Sequence, residues 1–380
     1  MRAVAVFPSK KEVKIIDQEM PVIRRPDEVK LRMIEVGICG TDKEIASFEY
    51  GTPPRNSRFL ILGHESLAEV VEIGSKVRNL KVGDLVVPSV RRPCRHKSCL
   101  PCRSGFPDFC NTGDFMERGI KGAHGFMAEY VVDHASYLHL VPEKLLDIAV
   151  LTEPLTIAEK AREETLQIIK RLPWLTDEIV ENSRRNSYPR AVVLGAGAVG
   201  LLAMMILVDG GFETYVYALA PSPNPSSEVV EAVGGSYHSQ GKISRETKKR
   251  LFGHIHLVYE ATGVSRLAFD VLKLLAPNSL FIMTGVPSLK GPAEIDTDFL
   301  MRNIVLKNQI ILGTVNASSD NYDSAITHIG KFERKWPQTV RSLITKRVAI
   351  EDAVEVLTSP QRGIKTTITF NGTSRGGVAA

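Results

Sequence analysis

The chain has 380 residues, 43% of them hydrophobic, and its 48 basic and 43 acidic residues give a formal net charge of +5. This length and apolar content predict about two to three domains with buried cores. The weak, scattered positive charge does not indicate nucleic-acid binding, and no apolar run approaches the ~18 residues of a membrane span, so we expect a cytoplasmic protein without membrane or nucleic-acid partners.

The first 150 residues alternate short runs of Val, Ile and Leu with Gly, Pro and Asp turns. Examples are the runs at 66–73 and 83–88. Short strands at this spacing predict a β-rich, barrel-like domain.

Within this region, Cys39 lies in the segment Gly-Ile-Cys-Gly-Thr-Asp, and His64 and Glu65 follow after a gap. A catalytic zinc ion takes three protein ligands and keeps one position open. Cys39 and His64 with a carboxylate satisfy this rule, and both Glu65 and Glu153 are candidates for the carboxylate. A zinc ion held there would lower the pKa of a bound alcohol, and Thr41 would pass the proton onward.

The other four cysteines lie in one loop, spaced as His96-x2-Cys99-x2-Cys102-x7-Cys110 with Cys94 just before. Dense sulfur-rich spacing of this kind is typical of a closed structural zinc site. The spacing favours His96 as the first ligand, and Cys94 is the alternative. Five cysteines at metal-ligand spacings also indicate a reducing compartment rather than disulfides.

From Leu155 the pattern becomes helical, and an α/β pattern begins near residue 190. A strand at 191–194, a helix at about 198–208 and a strand at 214–219 form a predicted βαβ unit, and later strands near 256, 280 and 310 continue it. This order predicts a doubly wound parallel sheet. The strand-like tail from Lys365 is expected to complete the N-terminal domain.

The turn of the βαβ unit reads Gly195-Ala-Gly197-Ala-Val-Gly200. Glycines at these positions allow a tight turn and close approach of a pyrophosphate to a helix N-terminus, and the strand and helix around them support a dinucleotide site. About 20 residues on, an NAD-selective site carries an acidic residue. This chain has Tyr217-Ala-Leu-Ala-Pro-Ser there, without an arginine for a 2′-phosphate. We expect NADP, with NAD use left open.

Together these residues resemble the medium-chain dehydrogenase/reductase superfamily over essentially the whole chain, and more narrowly the zinc-containing, archaeal-type glucose 1-dehydrogenases. The resemblance lies in the following segments: Gly37-Ile-Cys-Gly-Thr-Asp-Lys-Glu-Ile, Leu62-Gly-His-Glu, Val87-Pro-Ser-Val-Arg-Arg, Asp108-Phe-Cys-Asn-Thr-Gly, Glu117-Arg-Gly-Ile, His124-Gly-Phe-Met-Ala-Glu-Tyr, Glu153-Pro-Leu-Thr-Ile-Ala-Glu-Lys-Ala and Gly313-Thr-Val-Asn316. It implies an α/β protein with a GroES-like β-rich catalytic domain at 1–187 and 315–380, and a Rossmann domain at 188–314.

The resemblance also implies the roles of individual residues. Cys39, His64, Glu65 and Glu153 would surround the catalytic zinc, with one carboxylate reaching it only through water or on a change of state. Thr41, Glu117, Glu153 and Asn316 would contact sugar hydroxyls. The expected cofactor contacts are Gly195, Gly197, Ala198, Val199, Gly200, Ala218, Ala220, Ser222, Thr284, Gly285, Val286, Thr314, Val315 and Asn316.

The function expected from these features and from the resemblance is oxidation of the C1 hydroxyl of D-glucose, or another aldose, to the lactone with hydride transfer to NAD(P). The resemblance also implies a homodimer or homotetramer. A polyol or secondary alcohol dehydrogenase is the alternative within the same chemistry. A zinc-stapled binding protein that uses its basic lobe (Arg91, Arg92, Arg95, Lys97 and Arg103) is the less favoured alternative outside it.

Overall fold

The computed structural model describes residues 1–172, 189–239, 255–288, 291–360 and 363–370. The chain divides into two compact units. The first comprises Met1–Thr156, Asn316–Lys335 and Ile344–Ala380, and the second comprises Ile157–Val315 and Trp336–Leu343. The predicted domain boundary between 187 and 188 lies outside the described residues.

The first unit is built around the long strand Glu28–Ile38, whose early residues alternate between buried and partly exposed. One edge of this strand pairs antiparallel with Glu65–Ile73. Its other edge pairs with Tyr130–His134 along the first half and with Lys365–Thr369 along the second. The C-terminal strand therefore lies in the N-terminal sheet, directly beside the strand that leads into Cys39.

The remaining strands of this unit extend that sheet or form two small ones. The large sheet has the order Leu138–Val141, Leu85–Pro88, Glu65–Ile73, Glu28–Ile38, Lys365–Thr369, Ile344–Ala349. The small sheets have the orders Glu12–Asp17, Arg2–Phe7, Leu60–Ile61 and Arg91–Arg92, Met116–Arg118, Gly122–Ala123. Leu31, Met33, Val36, Phe126 and Met127 are fully buried in the common core.

The second unit contains the predicted doubly wound sheet. In the described part of the chain this sheet has six parallel strands, in the order Ser236–Ser239, Glu213–Ala218, Arg190–Leu194, Leu257–Glu260, Leu280–Met283, Ile310–Gly313. The strand order reverses beside Arg190–Leu194, which is where ligands bind in open sheets of this kind. The apolar helix Ala198–Asp209 leaves this strand with most of its side chains buried.

The other α-helices among the described residues are short or amphipathic. They are Gly40–Ala46, Leu100–Arg103, Thr152–Ile169, Pro225–Val233, Ser265–Leu272, Thr297–Leu306, Ser319–Lys335, Pro337–Ser342 and Ala353–Thr358. Across the described ranges, no helix is both long and apolar enough to cross a membrane.

Candidate active site

Three of the predicted catalytic residues meet in the first unit. One ligand atom each from Cys39, His64 and Glu65 lies within 4.8 Å of the others, and Cys39 Sγ is 3.0 Å from His64 Nε2. Sulfur, imidazole nitrogen and carboxylate oxygen are the donors that zinc takes in a catalytic site. Burial raises the pKa of the Cys39 thiol, so a thiolate here needs a positive partner such as a metal ion. The donor set fits zinc.

The backbone geometry explains why these three residues converge. Cys39 follows the central strand and precedes helix Gly40–Ala46, and Thr41 lies in the first turn of that helix. A Cβ at Gly37 would lie 2.2 Å from Glu65 Oε2. Only glycine at this position leaves room for the carboxylate of the paired strand.

Asp42, to which we assigned no role from the sequence, orients this group. Its carboxylate accepts from the Cys39 amide at 3.0 Å, and its Oδ1 lies 3.4 Å from His64 Nδ1. Asp42 is completely buried. A carboxylate at Nδ1 favours the tautomer with its proton on that nitrogen, which leaves the Nε2 lone pair for a metal.

Lys365 is a second residue that sequence reasoning missed. Its Nζ donates to Glu65 Oε1 at 2.8 Å and to Oε2 at 2.6 Å, and both residues are at most 3% exposed. The pair exists because strand Lys365–Thr369 and strand Glu65–Ile73 flank the same central strand. Lys365 therefore balances the charge of the one carboxylate in the metal-ligand group.

Glu153 does not join the three ligands, although the resemblance implies that it lies near the metal. It is buried at the start of helix Thr152–Ile169. Burial raises the pKa of Glu153 to about 7, with the positive charges of His64 and Lys365 opposing and the Glu65 charge adding to the effect. A carboxyl group that titrates near neutral pH beside a metal site suits proton transfer better than permanent ligation.

Two of the four residues expected to bind sugar hydroxyls, Glu117 and Asn316, contact each other. Asn316 Nδ2 donates to Glu117 Oε1 at 2.7 Å. Asn316 has a left-handed backbone with φ of 62°, which asparagine tolerates better than most residues. Arg91, from the strand paired with that of Glu117, donates to the same oxygen through Nε and Nη2. The side chains of Arg91, Glu117 and Asn316, which are distant in sequence, are therefore held together by hydrogen bonds.

The four loop cysteines form a second candidate metal site, and here the structure corrects the sequence. Cys94, Cys99, Cys102 and Cys110 place their sulfur atoms within 4.8 Å of one another, with Cys99 and Cys110 3.8 Å apart. A tetrahedral zinc ion with Zn–S bonds of about 2.3 Å separates its sulfurs by about 3.8 Å. His96, favoured by spacing, lies outside this cysteine cluster, and its exposed ring pairs with Asp114 instead. Cys94 is therefore the fourth member.

We expect Cys94→Ser to remove one zinc equivalent per chain and to lower the melting temperature, because a structural zinc contributes folding free energy directly. His96→Ala is the matched variant in the same loop and should change neither quantity. Elemental analysis and thermal melts check both. Loss of zinc in His96→Ala, with retention in Cys94→Ser, would restore histidine as the ligand.

The non-enzymatic alternative depends on a basic lobe, and part of the positive charge of that lobe is neutralised within the folded protein. Arg91 and Arg92 are each 7% exposed and pair with Glu117 and Asp133. Buried, neutralised arginines are not available to phosphates. Two of the five basic residues on which that alternative depends are therefore used inside the protein.

In the second unit, the glycine turn has the geometry that its sequence predicts. Gly195 has φ of 105°, and a Cβ at Gly200 would lie 2.2 Å from the Gly195 carbonyl oxygen. Gly197 begins helix Ala198–Asp209 without a side-chain cap. Because the N-cap residue Gly197 has no side chain, it does not bond the amides of Ala198 and Val199 in the first turn. These amides therefore suit an anion such as a pyrophosphate.

The other expected cofactor residues follow the ends of neighbouring strands. Ala218 ends its strand, and Ala220 and Ser222 lie in the loop that leads to helix Pro225–Val233. Ser226 Oγ of that helix donates to the Ala196 carbonyl at 2.9 Å and so ties the loop to the glycine turn. No acidic or basic side chain occurs from 218 to 224.

Thr284, Gly285 and Thr314 follow the next strands of the same sheet. The Thr284 hydroxyl donates to the Glu260 carbonyl at 2.8 Å, and the Thr314 amide donates to the Met283 carbonyl at 3.0 Å. Val286 and Val315 expose much of their apolar side chains. The structure thus places these predicted residues at the carboxyl edge of the sheet, where α/β proteins bind ligands.

Two family models cover most of the chain. The model described as "Alcohol dehydrogenase GroES-like domain" matches residues 25–143, and the one described as "Glucose dehydrogenase C-terminus" matches residues 146–370. Glucose 1-dehydrogenase of Methanocella arvoryzae is 36% identical over 96% of this chain and 98% of its own length. Glucose 1-dehydrogenase 2 of Vulcanisaeta moutnovskia is 39% identical over 97% and 99%.

A solved structure of Haloferax mediterranei glucose dehydrogenase, in complex with NADP, Zn and gluconolactone, is similar over 98% of this chain and all of its own. The TM-score is 0.83 and the identity 28%. Structures such as galactitol-1-phosphate dehydrogenase of Escherichia coli, at 19% identity and a TM-score of 0.76, share the fold. The chain therefore belongs to the zinc-containing, archaeal-type glucose 1-dehydrogenases of the medium-chain dehydrogenase/reductase superfamily.

Proposed function

We propose that this protein oxidises the C1 hydroxyl of D-glucose to the lactone and transfers the hydride to NADP, with NAD also accepted. The observation that carries the proposal is the Cys39, His64 and Glu65 group in a chain whose full-length relatives are glucose 1-dehydrogenases. The Haloferax enzyme holds gluconolactone, the product expected of C1 oxidation, together with NADP and Zn.

The residues of this chain have distinct roles in the reaction. Cys39, His64 and Glu65 would hold the zinc ion, and the cysteine cluster a second one. Zinc, when bound, supplies a Lewis acid that lowers the pKa of the C1 hydroxyl. Thr41, two residues after Cys39, would accept the hydroxyl proton while passing its own proton onward to solvent, and buried Glu153, whose pKa is raised to about 7, would hold a proton. NADP, when bound, would supply the nicotinamide that accepts the hydride from C1.

Sugar recognition falls to Glu117 and Asn316, with Thr41 and Glu153. Glu117 and Asn316 are held by hydrogen bonds to each other and present polar atoms that a simple alcohol cannot pair. Leaving such groups unpaired in a complex costs binding free energy, so a polyhydroxylated substrate is favoured over ethanol.

The cofactor is expected to lie against the glycine turn, with Thr284 to Val286 and Thr314 to Asn316 lining the nicotinamide side. The loop at 218–224 supports NADP because it has no carboxylate to repel a 2′-phosphate. Its lack of arginine supports the additional use of NAD.

Initial rates of NADP and NAD reduction test this function. The zinc-replete protein is assayed with D-glucose, D-galactose, D-xylose, sorbitol, threonine and ethanol. We expect rapid, chelator-sensitive turnover of glucose, faster with NADP. If no aldose is turned over but sorbitol is, the zinc mechanism would stand and the substrate would be a polyol instead of glucose.

Glu117→Gln should lower kcat/KM for the sugar by about 10- to 100-fold, because a charge-assisted hydrogen bond is lost or weakened. The dissociation constant for NADP, measured by fluorescence titration, should stay unchanged. Equal losses in sugar and cofactor binding would remove Glu117 from the sugar site.

We also propose a homodimer or homotetramer. Strand Ile310–Gly313 is an edge of the parallel sheet, and Met301, Val305 and Leu306 in the preceding helix are exposed. An apolar edge of this kind suits pairing with a second copy. Light scattering after size-exclusion chromatography would give the mass, and a monomer would contradict the proposal. The cytoplasmic location stays a prediction.

A further inference from the structure

Arg91 makes more contacts than an ion pair with Glu117 alone requires. Its side chain is buried and lies directly opposite Glu117 in the small sheet. Nε and Nη2 donate to Glu117 Oε1 at 3.1 and 2.8 Å, and Nη1 donates to the Asp108 carbonyl at 3.0 Å. The guanidinium stacks on Phe115 with 3.8 Å to the ring centre. Arg91 is thus fixed on several sides.

These contacts leave the two oxygens of Glu117 in different states. Within the described part of the chain, the donors that reach Glu117 are Arg91 and Asn316, and all of them end on Oε1. No donor from the residues that the structure describes reaches Oε2. A carboxylate whose charge is balanced through one oxygen can accept a short, charge-assisted hydrogen bond from a hydroxyl through the other.

Asn316 is constrained in the same way. Its Oδ1 accepts from the Ala317 amide at 3.0 Å, while Nδ2 donates one hydrogen to Glu117. An amide nitrogen carries two hydrogens, so the bond to Glu117 leaves the second Nδ2 hydrogen for a substrate oxygen. The fork of Arg91 therefore sets the orientation of Glu117, and Glu117 in turn sets that of Asn316.

We propose that Arg91 is a positioning residue for sugar recognition, which holds Glu117 by Oε1 so that Oε2 faces a substrate hydroxyl. The inference rests on the proposed function, since it assigns Arg91 to the same sugar site. Lysine cannot replace arginine here, because the three donors of an ammonium group sit on one nitrogen, whereas the guanidinium reaches Glu117 Oε1 and the Asp108 carbonyl from three different nitrogens.

The test compares Arg91→Lys with Arg92→Lys. Arg92 is the matched control, since it is equally buried, pairs with Asp133 and stacks on Tyr137 at 3.9 Å, but makes no contact with Glu117. Arg91→Lys should raise KM for D-glucose by about 10- to 100-fold, with kcat and the NADP dissociation constant little changed. Arg92→Lys should leave KM unchanged.

A double variant separates positioning from general destabilisation. If Arg91 acts through Glu117, Arg91→Lys combined with Glu117→Gln should be no worse in kcat/KM than Glu117→Gln alone. Additive losses, an unchanged KM in Arg91→Lys, or equal KM increases in both arginine variants would overturn the proposal.

Two further arms keep the result decisive. If Arg91→Lys does not fold, Phe115→Leu removes the stacking surface and should raise KM in the same direction, whereas an unchanged KM there would overturn the proposal. The wild-type protein is assayed in parallel, and a wild type that does not turn over glucose would defeat the proposed function and this role together. Glucose turnover with an unaffected Arg91→Lys would defeat the positioning role alone.

Discussion

Replacing His64 by alanine should reduce turnover of D-glucose by about a thousandfold or more, because Lewis-acid stabilisation worth several kcal/mol is lost with the metal. Cys39→Ser should have the same effect. Cys39 Sγ and His64 Nε2 lie 3.0 Å apart, and His64 is buried. The measurement is kcat together with zinc content, which should fall by one equivalent per chain.

The matched control is His134→Ala. His134 pairs with Asp27 at the protein surface and has no part in the proposed site. It should retain normal turnover and zinc content. NADP binding should survive in all three variants, because the glycine turn belongs to the other compact unit. Normal turnover in His64→Ala or Cys39→Ser would reject the zinc assignment.

Replacing Lys365 by methionine should have the largest effect on stability, about 3–5 kcal/mol in the free energy of unfolding. The cause is the Glu65 carboxylate, which is 2% exposed and would lose the ammonium group that contacts both of its oxygens. Urea titration of the zinc-free protein, followed by tryptophan fluorescence, measures the change. Zinc is omitted so that a metal ion does not replace the missing charge.

Two control variants show whether the stability loss in Lys365→Met comes from the buried charge of Glu65. Arg190→Met breaks an ion pair with Glu213 in which both side chains are at least 40% exposed, and it should cost less than about 1 kcal/mol. Lys365→Met combined with Glu65→Gln should recover much of the loss, because the buried charge is gone. A Lys365→Met protein as stable as Arg190→Met would show that the carboxylate is not left uncompensated.

Several parts of the site could be predicted because their signals are local in sequence. Gly195, Gly197 and Gly200 are constrained by one turn, and their pattern depends on the steric needs of that turn alone. The loop cysteines are close in sequence because one short loop must bring four sulfurs to one point. The alternation of strands and helices after residue 190 likewise predicts the parallel sheet.

Other parts depend on contacts that no local pattern encodes. Lys365 and Glu65 are 300 residues apart, and a lysine in a strand of threonines carries no sign of its buried partner. Spacing favoured His96, but the loop turns its ring to Asp114 and brings Cys94 to the other sulfurs. Arg91 looked like part of an exposed basic lobe until its pairing with Glu117 was seen.

The chemistry of this protein can be predicted from its residues, since ligand types at fixed spacings and a glycine turn limit what a site can bind. How those groups are held depends on contacts that form only in the folded chain. Charge balance in a buried site is set by whichever strands the fold places side by side, and strand Lys365–Thr369 reaches Glu65 only because both strands pair with Glu28–Ile38.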